Sequence, residues 1–178
     1  HPINVVNNKL IFPSFINSLN ILYIVNKIPL HNVTANILET IISFANSIKT
    51  SEGGAHENGF KIALTEIFNE YGRKWNIIKQ KDKNLEGNDV REGIGAIISI
   101  KVPENIISYE GQTKNKLGTP EARFAVENVV AEKMKFFLSE NGDIATIIVN
   151  NALKASKARE AARRARDEMR KVKQIISK

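Results

Sequence analysis

The chain has 178 residues, 42% of them hydrophobic and 25% charged, a balance typical of a folded globular protein. It contains no cysteine and three histidines, at positions 1, 31 and 56. This composition excludes a disulfide framework, a thiolate zinc site and a cysteine nucleophile, and it disfavours a multi-histidine metal centre. The apolar stretch at 10–30 is interrupted by prolines, asparagines and a lysine, so it does not predict a membrane-spanning segment.

The net charge of +7 is concentrated at the carboxyl end. Residues 141–178 carry ten basic and four acidic side chains, an excess of +6. Such a segment favours binding to a polyanion, with nucleic acid as the first candidate. A solvated helix with surplus lysine and arginine explains the composition equally well.

The first predicted elements are short strands at 9–12 and 20–25, with Pro13 and Pro29 as breaks. Residues 35–49 predict a helix that Thr34 caps and that ends near Thr50, because apolar residues recur there at helical spacing. These apolar residues are Ile37, Ile41, Ile42, Phe44, Ala45 and Ile48.

The rest of the chain predicts three helices and one strand. A broad apolar stripe predicts a helix over 57–80, a polar loop follows at 81–89, and the β-branched run 96–102 predicts a buried strand. Thr119 is the expected cap of a helix that Pro120 opens, and a last helix is expected over 143–176. This order of elements predicts an α/β two-layer sandwich with a projecting C-terminal helix.

Common catalytic motifs are incomplete. His56 and Glu57 begin a metalloprotease-like pattern, but position 60 is Phe rather than the second histidine ligand. Gly93 and Gly95 lack the third glycine of a dinucleotide-binding loop. No phosphate-binding P-loop and no nucleophile elbow occurs in the sequence. The motifs alone therefore predict no complete active site.

Two features remain. The segment GQTKNKLG at 111–118 puts two lysines near glycines just before a helix, which suits a phosphate group but also suits an ordinary polar loop. Four arginines in the last helix are spaced by four, three and four residues, so they share one helical face. This ladder of Arg159, Arg163, Arg166 and Arg170 indicates either a nucleic-acid contact or a solvated face.

Four strings together resemble bacterial type IIA DNA topoisomerase ATPase subunits, the family that includes the B subunits of DNA gyrase and topoisomerase IV. They are SEGGAHENGF at 51–60, KDKNLEGNDVREGIGAIISIKVPE at 81–104, YEGQTKNKLGTPEAR at 109–123 and KAREAARRARDE at 157–168. The resemblance covers roughly 36–170, in the family's order. Ala55 replaces the family's usual threonine, and residues 1–35 match poorly.

The resemblance implies a transducer domain with a ribosomal-protein-S5-domain-2-like fold over 1–142, continued by a basic helix over 143–178. It implies that Lys114, with Gln112 beside it, contacts the γ-phosphate of ATP that a separate N-terminal domain binds with Mg²⁺. Lys114 is then the catalytic candidate, and Gln112 and Lys114 are the cofactor-binding candidates. The arginine ladder at 159, 163, 166 and 170 is expected to face DNA.

The resemblance also implies that the parent protein is an ATP-hydrolysing topoisomerase and that this piece of it is inactive alone. Its expected partners are double-stranded DNA, the N-terminal ATPase domain and the cleavage subunit of a heterotetramer, in the bacterial cytoplasm at the nucleoid. No metal, no membrane and no tightly bound cofactor are expected for this piece. Two alternatives stay open: a stand-alone nucleic-acid-binding module that uses the basic helix, and a small enzyme that uses His56 and Glu57.

Overall fold

The computed structural model describes residues 39–175 with their side chains, and the backbone of 4–6, 9–11, 22–27 and 176. Eight strands lie in the described part of the chain: β1 (Asn4–Val6), β2 (Lys9–Ile11), β3 (Leu22–Lys27), β4 (Thr40–Ala45), β5 (Ile48–Lys49), β6 (Ile94–Ile100), β7 (Tyr109–Glu110) and β8 (Lys116–Leu117). The helices there are α1 (Ala55–Lys74), α2 (Gly87–Arg91), α3 (Pro120–Glu140) and α4 (Gly142–Ile176). The expected cap Thr34 lies outside the described residues.

A mixed sheet forms one layer, in the strand order β1-β2-β3-β6-β4-β5. Strands β4 and β6 are parallel, and the other pairs in this sheet are antiparallel. Alternate residues of β6 are buried on the helix side (Ile94, Ala96, Ile98 and Ile100). They join the buried faces of α1 and α3 in one hydrophobic core. The predicted α/β sandwich of a sheet and a helix layer is confirmed.

The helix predicted over 35–49 is wrong, since residues 40–49 form the hairpin of β4 and β5. Asn46 and Ser47 turn the chain with positive φ angles of 48° and 66°, as a tight two-residue hairpin turn requires. Apolar residues occur on both faces of β4: Ile41 and Ala45 lie on the core side, whereas Ile42, an exposed residue, lies on the outer side. Together they mimic the spacing of an apolar helix stripe.

Helix α1 ends earlier than the stripe predicts. Trp75 follows its last turn, and Asn76 takes a left-handed φ of 56° that ends the helix. The amides of Ile77 and Ile78 both donate to the carbonyl of Gly72, at 2.8 and 2.9 Å. This turn folds the buried Ile78 side chain back onto Gly72.

Thr119 does not cap α3 with its side chain, contrary to the prediction. Its hydroxyl instead accepts a hydrogen bond from the amide of Ser108 at 2.9 Å, and the residue is fully buried. Pro120 does open the helix as predicted. The hydroxyl therefore joins the start of α3 to the chain entering β7.

Helix α4 has two parts of different character. Ala145, Val149 and Ala152 are buried against the body of the domain. Every residue from 161 to 175 is exposed. At 35 residues the helix is about 52 Å long, so its last part extends well beyond the body. The predicted projecting C-terminal helix is confirmed.

Candidate functional site

A small hairpin carries the 111–118 segment. Strands β7 and β8 pair Tyr109 with Leu117 and Glu110 with Lys116. The turn between them takes positive φ angles at Gly111 (78°) and Lys114 (56°). Residues 111–114, which include the predicted Gln112 and Lys114, are exposed at its tip. The sequence does not predict this hairpin, because strands of two residues show no periodic signal.

Lys114 and Lys116 differ in their surroundings. The Lys116 ammonium donates to the Glu110 carboxylate at 2.7 Å, and this pairing raises the pKa of Lys116. The Lys114 ammonium makes no ion pair with any described residue and lies 5.7 Å from the centre of the Tyr109 ring. Lys114 is thus a cation with hydrogen-bond capacity left for an external anion.

The glycine-rich turn at 51–54 supports the hairpin from behind. Leu117 donates its amide to the Gly53 carbonyl at 3.0 Å, and Glu52 donates to the Asn115 carbonyl at 2.9 Å. Gly54 has a φ of 137°, and a Cβ there would lie 2.3 Å from the Leu117 carbonyl oxygen. Only glycine lets the two backbones approach so closely. Two strings that are far apart in the sequence therefore form one unit.

A buried polar chain lies under this turn. The Ser43 hydroxyl donates to the Glu57 carboxylate at 2.7 Å, so the 2.5 Å contact between Ser43 and Thr50 uses the Thr50 proton. His56 Nε2 lies 3.1 Å from Thr50 Oγ1 and must then carry the hydrogen that it donates. Burial lowers the pKa of His56 to about 4, against a smaller opposing effect of Glu57. His56 is a neutral structural residue.

Glu57 is occupied as well. Besides Ser43 it contacts the Lys61 ammonium at 3.3 Å, and Lys61 in turn contacts Glu39 at 3.6 Å. A Cβ on Gly53 would lie only 2.7 Å from this carboxylate. The His56–Glu57 pair therefore holds the turn in place, and this geometry argues against the small-enzyme alternative.

The other end of the domain carries the start of the arginine ladder. Arg159 forms two hydrogen bonds with the Asp89 carboxylate, at 2.7 and 3.0 Å, and contacts Glu86 at 2.9 Å. This arrangement differs from the expectation that Arg159 faces DNA, because its guanidinium is paired with two carboxylates of the domain, although its side chain is 28% exposed. The side chains of Arg163 and Arg166 are exposed, and Arg170 is exposed with Asp167 at 4.0 Å.

The hairpin and the Arg159 contact lie at opposite ends of the central strands. Tyr109 donates its hydroxyl to the carbonyl of Ala45, the last residue of β4, at 2.9 Å. Helix α2, which carries Asp89, ends just before β6 begins, and its Arg91 pairs with Glu39 at the start of β4 at 3.0 Å. The seven residues of β6 separate the two ends by about 20 Å.

Sequence reasoning missed Tyr109, Thr50 and Asp89. The aromatic residue two positions before Gly111 was the one signal for Tyr109. Thr50 gave none, and Asp89 was recognisable only as a residue that can cap a short turn, because the contacts of both with distant side chains are defined only by the fold.

No group of three or more acidic or histidine side chains in residues 39–175 is placed to hold a metal ion. No helix in the described part of the chain is long and apolar enough to cross a membrane.

The chain belongs to the DNA gyrase B family, whose sequence model matches residues 24–168. It is 58% identical over 132 residues to the B subunit of DNA topoisomerase 4 from Bacillus subtilis, a match that covers 74% of this chain and 20% of the relative. It is 56% identical over 124 residues to the same protein of Staphylococcus epidermidis, covering 70% of this chain and 19% of the relative. The chain thus spans about a fifth of the length of these curated relatives.

Solved structures agree with this assignment. The 43K ATPase domain of Thermus thermophilus gyrase B superposes with a TM-score of 0.74 at 32% identity, over 92% of this chain and 42% of that one. The topoisomerase IV ATP-binding domain of Francisella tularensis superposes with a TM-score of 0.68 at 26% identity, over 86% and 40%. The family resemblance that the four strings indicated is confirmed.

Proposed function

We propose that this chain is the transducer segment of the ATPase subunit of a type IIA DNA topoisomerase. In the parent enzyme it couples ATP binding and hydrolysis in an N-terminal domain to the passage of a DNA strand. The single observation that carries the proposal is Lys114, an exposed and ion-pair-free cation at the tip of a hairpin that is braced from behind. The similarity to DNA topoisomerase 4 of two bacteria supports the assignment.

Lys114 contacts the γ-phosphate of ATP in the neighbouring domain, and Gln112 adds an amide donor at the same tip. The ammonium stabilises negative charge on the transferred phosphoryl group. A charge-assisted hydrogen bond contributes about 1.5–3 kcal/mol, which shifts a two-state equilibrium by roughly tenfold to a hundredfold. Loss of the γ-phosphate therefore changes how firmly the hairpin holds that domain. ATP and Mg²⁺ are bound mainly by the N-terminal domain of the parent.

The exposed part of α4 meets the DNA. Residues 161–175 carry six basic and two acidic side chains, all exposed. Phosphate contacts from Arg163, Arg166 and Arg170 bind a duplex without reading its sequence. Such contacts suit a DNA segment that has to pass through rather than stay bound. The cleavage subunit of the parent heterotetramer completes the assembly, in the bacterial cytoplasm at the nucleoid.

An ATPase complementation experiment tests the role of Lys114. The isolated ATP-binding domain of the Bacillus subtilis relative is mixed with this chain, as wild type, Lys114→Ala or Lys116→Ala. We expect wild type and Lys116→Ala to raise ATP turnover and Lys114→Ala to have no such effect. Lys116 is the matched control, because its charge is two residues away and already paired with Glu110.

A fused form of the two pieces decides the case in which mixing has no effect. Equal turnover in the fused wild type and its Lys114→Ala variant, with both folded, would overturn the proposal. Turnover of ATP by this chain alone at the rate of the intact relative would also contradict it, since one lysine is no substitute for a nucleotide pocket.

A stand-alone nucleic-acid-binding module is the second candidate function, and the exposed basic part of α4 is the observation that favours it. It predicts tight duplex binding by this chain without any partner. Three phosphate contacts give a log–log salt slope of about −2.7. Tight, salt-dependent binding combined with no effect on the ATP-binding domain would favour this candidate over the transducer.

A further inference from the structure

Arg159 and Glu160 are the last residues of α4 with a described contact to the body of the domain. Its guanidinium fork grips both oxygens of Asp89 at 2.7 and 3.0 Å and also reaches Glu86 at 2.9 Å. Lys83 contacts Glu160 at 3.5 Å beside it. From residue 161 onward every described side chain is exposed. The helix is therefore tied to the body as far as residues 159 and 160, and none of its described residues beyond them is buried.

Asp89 is built into this contact rather than merely near it. Its side chain is 2% exposed, and it accepts a hydrogen bond from the Glu86 amide at 2.9 Å as part of the cap of α2. Burial alone would raise the pKa of Asp89, but the hydrogen bonds from Arg159 and the Glu86 amide and the charge of Arg159 outweigh it and lower that pKa. The carboxylate stays charged and bound to Arg159.

The short helix α2 is itself held on two sides. Leu85, just before it, exchanges two hydrogen bonds with the Asn69 side chain of α1, at 2.8 and 3.1 Å. Arg91, at its end, pairs with Glu39 beside β4 at 3.0 Å. Asp89 is thus a fixed point of the body, and a bidentate arginine contact to a fixed carboxylate defines an orientation as well as a distance.

We propose that Asp89 and Arg159 form a clamp that sets the direction of the basic helix, so that both are positioning residues and not DNA-binding residues. The clamp directs the exposed arginines of α4 while its own arginine stays paired with Asp89 and Glu86. The part of this inference that concerns DNA rests on the proposed function, whereas the part that concerns the helix direction does not.

The absence of cysteine from the sequence allows a direct test of the helix direction. Nitroxide labels at Glu66→Cys on α1 and Lys171→Cys on α4, both exposed positions, report the distance between body and helix. We expect a narrow distance distribution, which Arg159→Gln broadens about twofold or more because the helix is released from the body. Arg163→Gln is the matched control and leaves the distribution unchanged.

A variant that loses its fold, as judged by circular dichroism, is replaced by Arg159→Lys. That variant keeps the charge but loses the two-pronged geometry, and it is expected to broaden the distribution less. Distributions of equal width in folded Arg159→Gln, Arg159→Lys and Arg163→Gln proteins would overturn the clamp.

Salt dependence of duplex binding separates positioning from binding. A residue that neutralises one phosphate contributes about 0.9 to the log–log slope. We expect Arg163→Gln to reduce the slope by that amount and Arg159→Gln to leave it unchanged. A loss of slope in Arg159→Gln contradicts the clamp, whereas a flat response of the wild type contradicts the proposed DNA contact and leaves the distance measurement to decide the clamp.

Discussion

The Lys114 ammonium lies 5.7 Å from the centre of the Tyr109 ring, and the hydroxyl of that ring donates to the Ala45 carbonyl at 2.9 Å. The ring face of Tyr109 therefore contacts the exposed lysine, and its hydroxyl binds the end of core strand β4. The cation–π contact limits the positions of a side chain that otherwise has four free torsions.

This relationship predicts that the ring of Tyr109 supports the action of Lys114. Tyr109→Leu is expected to lower the stimulation of ATP turnover about two- to fivefold, the equivalent of an exposed cation–π contact. Tyr109→Phe keeps the ring and is expected to retain most of the stimulation. The measurement is turnover of the ATP-binding domain against increasing concentration of each variant. Equal loss in both variants would assign the effect to the hydroxyl instead.

Gly54 is predicted to be intolerant of any side chain. In Gly54→Ala the new Cβ meets the backbone of Leu117, so β8 has to move, at a cost of about 2–4 kcal/mol in unfolding free energy. Gly111→Ala is the matched control: its φ is also positive, but the nearest atom to its Cβ is 3.9 Å away, and strain alone costs about 1–2 kcal/mol. Urea unfolding of both variants measures the difference. Equal losses would show that the close approach carries no extra cost.

The lowered pKa of His56 predicts that the free energy of unfolding decreases in mild acid. Its pKa is about 4 in the folded protein and ordinarily 6.5, so the unfolded chain takes up the proton first. The contribution of His56 to the free energy of unfolding is therefore complete above pH 6.5. It falls by about 3 kcal/mol as the pH is lowered to 4.

The matched experiment compares the wild type with His56→Ala in urea at several pH values. At pH 7 the variant is expected to be less stable by about 2–4 kcal/mol, because it loses a buried ring and leaves Thr50 without its donor. The difference in unfolding free energy between the two proteins should narrow towards pH 4.5. There the wild type is destabilised because its folded state keeps His56 unprotonated, whereas the variant has no such histidine. A gap that stays constant across this range would place the titration elsewhere.

Reversal of Arg163 and Arg166 to glutamate is predicted to abolish duplex binding by the exposed part of α4. The two changes replace two attractive phosphate contacts with two repulsive ones. Lys101→Glu, an exposed reversal at the other end of the domain, is the control for the single change Arg163→Glu, because each alters the net charge by the same two units. Fluorescence anisotropy of a labelled duplex at several salt concentrations gives the affinity. Equal weakening by Lys101→Glu would mean that total charge, and not α4, attracts the DNA.

The long amphipathic elements were predictable from the sequence, and the contacts between distant residues were not. The apolar stripe on α1 and the proline that opens α3 predict those two helices directly, because both signals are local in the sequence. Strand β4 was mistaken for a helix, because Ile42 faces the outer side of the sheet while Ser43 and Ala45 face the core. Its real pattern depends on pairing with β6, some fifty residues later.

In the candidate site, too, local motifs were recognisable from the sequence and contacts between distant residues were not. Gln112 and Lys114 were singled out by the motif alone, and the structure puts both at an exposed hairpin tip, while their contact with a γ-phosphate stays a prediction. Arg159 shares the spacing of the exposed ladder, so no sequence pattern separates it from Arg163. What separates it is Asp89, seventy residues away, which the fold brings within hydrogen-bond distance.

The length of α4 beyond the clamp gives the helix the properties of a lever. From Arg159 to Ile176 the axis runs about 25 Å, and a tilt of about 10° at the clamp moves the far end by about 4 Å. A tilt too small to disturb the packed core thus moves the C-terminal end of α4 by a distance comparable to the width of a phosphate group. A small rotation of α4 at Arg159 therefore produces a large displacement of its C-terminal end.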